Sequence, residues 1–213
     1  MYMKKLIPLL FTALLFASCE KDPDLDKVQN DYVIYTQYDK DANFNKGNTF
    51  YIADSVLVIG NKGKGVSYLD EQEGNFIINA YAAQMQSRGY SRVSDKSSAT
   101  YGLQISYLES TYYYLNSSGW WSDFPWYWSP SYWWPWVVGS WYHPYPFIYS
   151  YTSGSLVAEM IDITSVSKDT TSATPIVIWN NYITDINTPA TNRNKLTQAI
   201  DQAFTQSPYI QYK

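Results

Sequence analysis

Residues 155–163, SLVAEMIDI, and residues 175–184, PIVIWNNYIT, are two strongly apolar stretches separated by a Ser/Thr-rich loop. Both contain β-branched residues and both are short, which favours buried strands over helices. Because one loop joins them directly, we expect the two strands to pair as the central hairpin of a sheet.

Further strands are predicted before this hairpin. Residues 32–38 and 49–52 are rich in β-branched and aromatic residues, and turn-forming residues separate them, so we expect an early antiparallel pair. Residues 55–59 either continue the second of these strands or begin a third. From residue 101 to residue 107, apolar residues alternate with small or polar ones, the pattern of a half-buried strand.

Two helices are predicted. Asp70 is a suitable N-cap for the first, with Glu73 as its reciprocal partner, and Gly89 is a suitable end. Residues 196–204 form an amphipathic pattern of helical spacing that residues 207–208, Ser-Pro, bring to an end. Strands with two separated helices predict an α+β fold, with both helices packed on one face of a mostly antiparallel sheet as a two-layer sandwich.

The start of the chain has the features of a bacterial lipoprotein leader. Lys4 and Lys5 precede an apolar stretch, and small residues come directly before Cys19. About a dozen apolar residues are too few for a permanent membrane helix, which needs roughly 20. We expect residues 1–18 to be removed as a signal peptide and Cys19 to be acylated, by palmitate or a similar chain, which would anchor the protein in the outer membrane on its periplasmic or cell-surface face.

Residues 19–30 are then the lipidated cysteine and a flexible acidic tether, and residues 31–213 form a single domain. Loss of residues 1–18 removes two lysines and no acidic residue, which leaves 13 basic and 19 acidic side chains and a net charge of −6. The aspartates of the tether have the spacing of a calcium loop, but Lys27 and Val33 occupy positions that need glycine and glutamate. No metal site is expected there.

Half of residues 120–151 are aromatic, and eight of the chain's nine tryptophans lie among them. Five prolines and the absence of any regular period predict an irregular insertion at about residues 116–152. Tryptophan and tyrosine rings stack on sugar rings or partner side chains, or lie in the headgroup layer of a membrane. The predicted contact residues are Trp126, Trp128, Trp133, Trp134, Trp136 and Trp141. The alternative is that these rings only pack against the sheet.

Charge limits the possible partners of this insertion. From residue 97 to residue 167 there is no lysine or arginine. Nucleic acid and anionic lipid are therefore disfavoured, because phosphates would meet no positive charge. A glycan, a neutral membrane interface and another envelope protein remain as candidate partners.

The sequence contains no recognisable catalytic, cofactor or metal motif. His143 is the only histidine, and with no free cysteine and no evident acid partner, a Ser-His-Asp or Cys-His arrangement is hard to build. Gly60, Gly63 and Gly65 lack the Lys-Ser/Thr of a phosphate loop and suggest a hairpin tip instead. A pair of catalytic carboxylates, as in glycosidases, remains a possible site. The candidates are Glu109, Asp123, Glu159 and Asp162. We favour a structural interpretation, in which Glu109 and Glu159 are exposed on strands and Asp162 caps a strand end.

The order of motifs resembles that of the uncharacterised bacterial lipoproteins grouped as domain of unknown function 4136. The resemblance rests on six segments, namely YDKDANFNKGNTFYI, AAQMQSRGY, ATYGLQISY, SGSLVAEMIDI, PIVIWNNYI and NKLTQAIDQAFTQSPY. The family often has a Trp/Tyr/Gly-rich insertion where this chain has its aromatic residues. It usually has a cationic residue soon after the tryptophan of the fifth segment, where this chain has Asn180 and Asn181. The resemblance implies a fold and an envelope location, but no activity.

These features together predict a non-enzymatic envelope lipoprotein, a binding or structural module that uses an exposed aromatic segment. The alternative is a surface glycan-binding protein or, with less support from the sequence, a carboxylate-dependent glycosidase.

Overall fold

The computed structural model describes residues 32–59, 67–109, 112–114, 149–151, 154–165, 176–184, 186 and 192–213, with the backbone alone at 112–114 and 149–151. The strands are β1 (Ile34–Tyr38), β2 (Thr49–Ile52), β3 (Leu57–Ile59), β4 (Ser67–Tyr68), β5 (Ser91–Arg92), β6 (Tyr101–Leu108), β7 (Tyr112–Tyr114), β8 (Tyr149–Tyr151), β9 (Ser155–Asp162) and β10 (Val177–Ile183). The helices are α1 (Glu71–Ser87) and α2 (Arg193–Thr205).

The predicted hairpin is confirmed. β9 and β10 pair antiparallel, from Ile183 opposite Leu156 to Val177 opposite Ile161, with one irregularity between Val177 and Trp179. β6 pairs antiparallel along the other edge of β9 over its full length. Three long strands of buried residues therefore form the middle of the sheet.

The sheet as a whole is mixed, and the prediction of a mostly antiparallel sheet was wrong. Its strand order is β1-β10-β9-β6-β2-β5. In addition, β3 pairs with β6, and β4 pairs with β3. β2 and β3 both run parallel to β6, and β5 runs parallel to β2. The chain passes through α1 between β3 and β6, and a crossover of this length is what parallel neighbours require.

The predicted early pair of strands was also wrong. β1 pairs with β10, where Tyr38 lies opposite Trp179, and so forms an edge of the sheet far from β2. The local patterns mark both strands correctly, but consecutive strands are neighbours in a sheet in most cases and not in all. β3 and β4 do pair antiparallel on either side of residues 60–66, in agreement with a hairpin there.

Both helices are confirmed, although α2 begins at Arg193, three residues before the predicted pattern, with Asn192 as its N-cap. The Asp70 carboxylate accepts a hydrogen bond from the backbone N–H of Gln72 at 2.9 Å and so caps α1. Gly89, just beyond the helix, has a φ of +88°, a conformation that glycine adopts without steric cost. α2 ends at Thr205, two residues before Ser207 of the Ser-Pro pair.

The core joins the two helices to β10. Tyr81 of α1 donates a hydrogen bond from its hydroxyl to the side-chain oxygen of Asn181 at 2.7 Å. Trp179 is fully buried, and its ring lies 5.3 Å from that of Phe204 on α2. Its indole N–H donates to the Ser207 hydroxyl at 2.8 Å. In the described ranges, neither helix is long and apolar enough to cross a membrane.

Candidate functional site

A two-stranded ribbon holds both ends of the aromatic insertion together. β7 and β8 pair antiparallel, with Tyr112 opposite Tyr151 and Tyr114 opposite Tyr149. The ribbon follows directly from the central strands, because β6 leads into β7 and β8 leads into β9. At the junction, the backbone N–H of Gly154 donates to the Leu108 carbonyl at 2.7 Å. Residues 115–148 are therefore an insertion between two paired strands.

The predicted contact residues fall inside this insertion. Trp126, Trp128, Trp133, Trp134, Trp136 and Trp141 lie outside the described residues. The same holds for Cys19, for Asp123 and His143, and for the glycines of the 60–65 turn. The structure thus describes the two strands that flank the insertion.

The sheet itself carries an unpredicted polar row, which we call the second-face row: Gln37, Asn180, Glu159 and Gln104. These residues lie directly opposite one another on the adjacent strands β1, β10, β9 and β6. Since side chains alternate along a strand, the row lies on the face opposite to that of Trp179 and Asn181.

Three members of the row are buried, with exposed fractions of 1% for Gln104, 2% for Glu159 and 1% for Asn180. The side-chain oxygen of Asn180 accepts no hydrogen bond in the part of the chain that is described. Every residue of β6 is buried as well, so the expectation of a half-buried strand was wrong. The second face of the sheet is therefore interior, not an open binding surface.

The expected exposure of Glu159 was wrong for the same reason. Alternating polar residues normally indicate a solvent-facing side, but here both faces of the central strands are covered. Glu109, just after β6, is exposed as expected. Asp162 caps the end of β9 as expected, because its carboxylate accepts from the backbone N–H of Thr164 at 2.9 Å.

The three described candidates for a glycosidase pair, Glu109, Glu159 and Asp162, are not placed on either side of one bond. Leu108, the neighbour of Glu109, lies opposite Ser155, and Ser155 is four residues from Glu159 along β9. At about 3.3 Å per residue, Glu109 and Glu159 are therefore roughly 15 Å apart. Asp162 is three residues from Glu159 on the same strand and so points to the opposite face. Paired glycosidase carboxylates are about 5–9.5 Å apart on either side of one bond.

A cavity of about 350 Å³ lies beside the end of β9, with Asp39, Asp41, Lys46 and Asp162 in its lining. The Lys46 ammonium group forms an ion pair with Asp162 at 2.8 Å. The Asp39 carboxylate accepts from the backbone N–H of Asp41 at 3.0 Å. Two of the acidic groups thus stabilise the local turn and the strand end. Among the described residues, no group of three His, Cys, Asp or Glu side chains could hold a metal ion.

Tyr107 of β6 is a buried phenol. Burial raises the pKa of Tyr107 above its usual 10.0, and the nearby carboxylates of Glu109 and Glu73 raise it further. Its hydroxyl donates to the backbone carbonyl of Ile186 at 3.2 Å. Tyr107 is therefore a hydrogen-bond donor in the interior rather than a base.

The alternation along β6 and β9 contained the only sequence signal for the second-face row. Gln104 and Glu159 each occupy the polar position between apolar neighbours. Their register could not be predicted, because it depends on pairing between strands about 50 residues apart in sequence.

Comparison with known proteins finds similarity to one family model and to solved structures. The model of the family named "Domain of unknown function (DUF4136)" matches residues 34–209. The crystal structure of a DUF4136 family protein from Bacteroides thetaiotaomicron VPI-5482 is 39% identical, with a TM-score of 0.75 over 86% of this chain and 100% of that one. A PelC dodecamer from Paraburkholderia phytofirmans is 12% identical over 85% of this chain and 99% of its own, with a TM-score of only 0.39. None of the curated proteins matches the chain. The matched family model spans most of the sequence, and the chain belongs to the DUF4136 family.

Proposed function

We propose that the protein is a non-enzymatic cell-envelope lipoprotein that binds a partner through its aromatic insertion. The observation that carries this proposal is the register of the β7–β8 ribbon. With Tyr114 directly opposite Tyr149, the two ends of residues 115–148 are fixed a strand spacing apart, about 5 Å. A rigid sheet that holds a closed loop of aromatic residues is an arrangement typical of binding proteins.

The chemistry of the described domain supports binding rather than catalysis. Its candidate carboxylates are widely separated, and one of them, Asp162, is occupied by Lys46. The second face of the sheet is interior, which leaves the insertion as the chain's concentration of aromatic contact groups. With no basic residue between positions 97 and 167, a neutral glycan, a neutral lipid interface or an envelope protein suits it better than nucleic acid.

The proposal is tested by removing the insertion while keeping the frame. Because Tyr114 and Tyr149 are opposite each other, Asn-Gly in place of residues 115–148 should close the ribbon as a two-residue hairpin. We expect this variant to fold but to lose binding to an oligosaccharide panel or to neutral phosphatidylcholine vesicles. Equal binding by the variant and the natural chain would contradict the proposal, and glycan hydrolysis by the natural chain would favour an enzyme.

The proposed anchor has a separate test. We expect Cys19→Ser to abolish incorporation of labelled palmitate and to move the protein out of the membrane fraction, because the acylated sulfur is lost. Ser18→Gly is the matched control, since it keeps a small residue before the cysteine. Membrane association that survives Cys19→Ser would show that another element holds the protein there.

We also propose that both helices lie on one face of the sheet, so that the described helices and strands form the two layers of a sandwich. Asn181, bonded to Tyr81 of α1, and Trp179, in contact with Phe204 of α2, are two residues apart on β10. Residues with this spacing point to the same side of a strand. The rings of Tyr81 and Phe204 are also 6.0 Å apart.

A further inference from the structure

We infer that the outer edge of β1 is a pairing surface for a second copy of this chain, in antiparallel register about Thr36. β1 lies at one end of the strand order. Among the described strands, none pairs with its outer side. The opposite end of the order is β5, only two residues long and carrying Arg92.

β1 lacks the features that normally protect an edge. Residues 32–38 contain no charge and no proline, and the register from Ile34 to Tyr38 is free of bulges. Exposed edge strands of soluble proteins usually carry a lysine, a proline or a bulge that prevents pairing. The strand and the residue before it are also among the most exposed apolar positions, with Val33 at 62%, Tyr35 at 44% and Tyr38 at 36%.

The hydrogen bonds to β10 fix which backbone groups point outward. The Asp39 N–H donates to Ile178, and the Val33 carbonyl accepts from Thr184. In an antiparallel ladder these bonds alternate, so the odd-numbered residues face β10. The N–H and C=O groups of Ile34, Thr36 and Tyr38 therefore face away from the sheet.

This geometry is self-complementary. Pairing about Thr36 sets Ile34 opposite the partner's Tyr38 and Thr36 opposite the partner's Thr36. All of these are hydrogen-bonding positions, and each opposed pair exchanges two N–H···O bonds. At the neighbouring positions, Tyr35 lies opposite the partner's Gln37. This amide and phenol are compatible hydrogen-bond partners, because the Gln37 amide already donates to the Tyr35 hydroxyl within one strand at 2.9 Å. No like charges meet within the paired segment, which makes a second copy a compatible occupant.

Cysteine cross-linking tests this register. In the full chain with Cys19→Ser, Thr36→Cys would hold the only thiol. Hydrogen-bonded antiparallel partners have Cα atoms about 5.5 Å apart, a separation that a disulfide spans. Under mild oxidation, we expect a disulfide-linked dimer fraction several times that of Ser87→Cys, an exposed position on α1.

A second experiment mixes two cysteine variants. It tests the register directly and still gives a result if Thr36→Cys misfolds. Ile34→Cys and Tyr38→Cys chains should cross-link with each other when mixed, and much less with themselves. Dimer yields at position 36 no higher than at position 87 would overturn the inference. So would Ile34→Cys chains that cross-link with themselves as readily as with Tyr38→Cys chains, because the edge would then pair in another register or with another occupant.

Discussion

Replacing Trp179 with alanine is expected to lower the free energy of unfolding by about 3–5 kcal/mol, the usual cost of deleting a buried aromatic ring. The indole is fully buried between the sheet and α2, where it contacts Phe204. The substitution removes this contact and leaves the Ser207 hydroxyl without its indole donor. The effect is measured by urea unfolding followed by far-UV circular dichroism, so that the readout does not depend on tryptophan.

Trp179→Phe is the matched control. It keeps an aromatic ring beside Phe204 but removes the N–H that bonds to Ser207, so we expect a smaller loss, about 1–2 kcal/mol. If the alanine variant lost no more than the phenylalanine variant, the ring contact would not be a main part of the core.

Unfolding at alkaline pH is expected to depend on Tyr81. This phenol is fully buried, and burial raises its pKa above the usual 10.0, an effect that the hydrogen bond to Asn181 only partly offsets. A raised folded pKa means that its contribution to stability is complete below about pH 10 and is lost as the pH rises through the folded value. Above pH 10, each pH unit should cost the natural chain roughly 1.4 kcal/mol more than the Tyr81→Phe chain.

At neutral pH, Tyr81→Phe should itself cost about 1–3 kcal/mol, because it leaves the buried amide of Asn181 without its donor. The double variant Tyr81→Phe with Asn181→Leu removes both polar partners and should recover part of that loss. Urea unfolding between pH 7 and pH 11 measures both effects. Parallel pH profiles for the natural chain and Tyr81→Phe would contradict the assignment.

Local signals in the sequence were sufficient for the helices and for the central hairpin. The Asp70 cap and the glycine at position 89 depend on a few neighbouring residues, and the structure has both where the sequence predicts them. β9 and β10 were equally clear, because each is a short stretch dominated by apolar and β-branched residues, which favours a buried strand over a helix.

The arrangement of the sheet was not predictable in the same way. β1 pairs with β10 and β2 with β6, contacts between segments far apart in sequence that local patterns do not encode. The burial of Glu159 could not be predicted for the same reason. A polar residue in an alternating strand is expected to be exposed unless both faces of the sheet are known to be covered. The composition of the sequence was enough to locate the aromatic insertion. The structure shows in addition that the β7–β8 pairing holds the two ends of the insertion together.

Acrylamide quenching of tryptophan fluorescence tests whether the insertion presents its aromatic rings to a partner. Eight of the nine tryptophans lie in residues 115–148, and the ninth, Trp179, is fully buried. The Asn-Gly variant therefore supplies the emission of Trp179 alone as a baseline. After its subtraction, we predict red-shifted emission that acrylamide quenches readily. Blue-shifted emission that resists quenching would mean that the rings are packed inside the domain, which would contradict a binding role for the insertion.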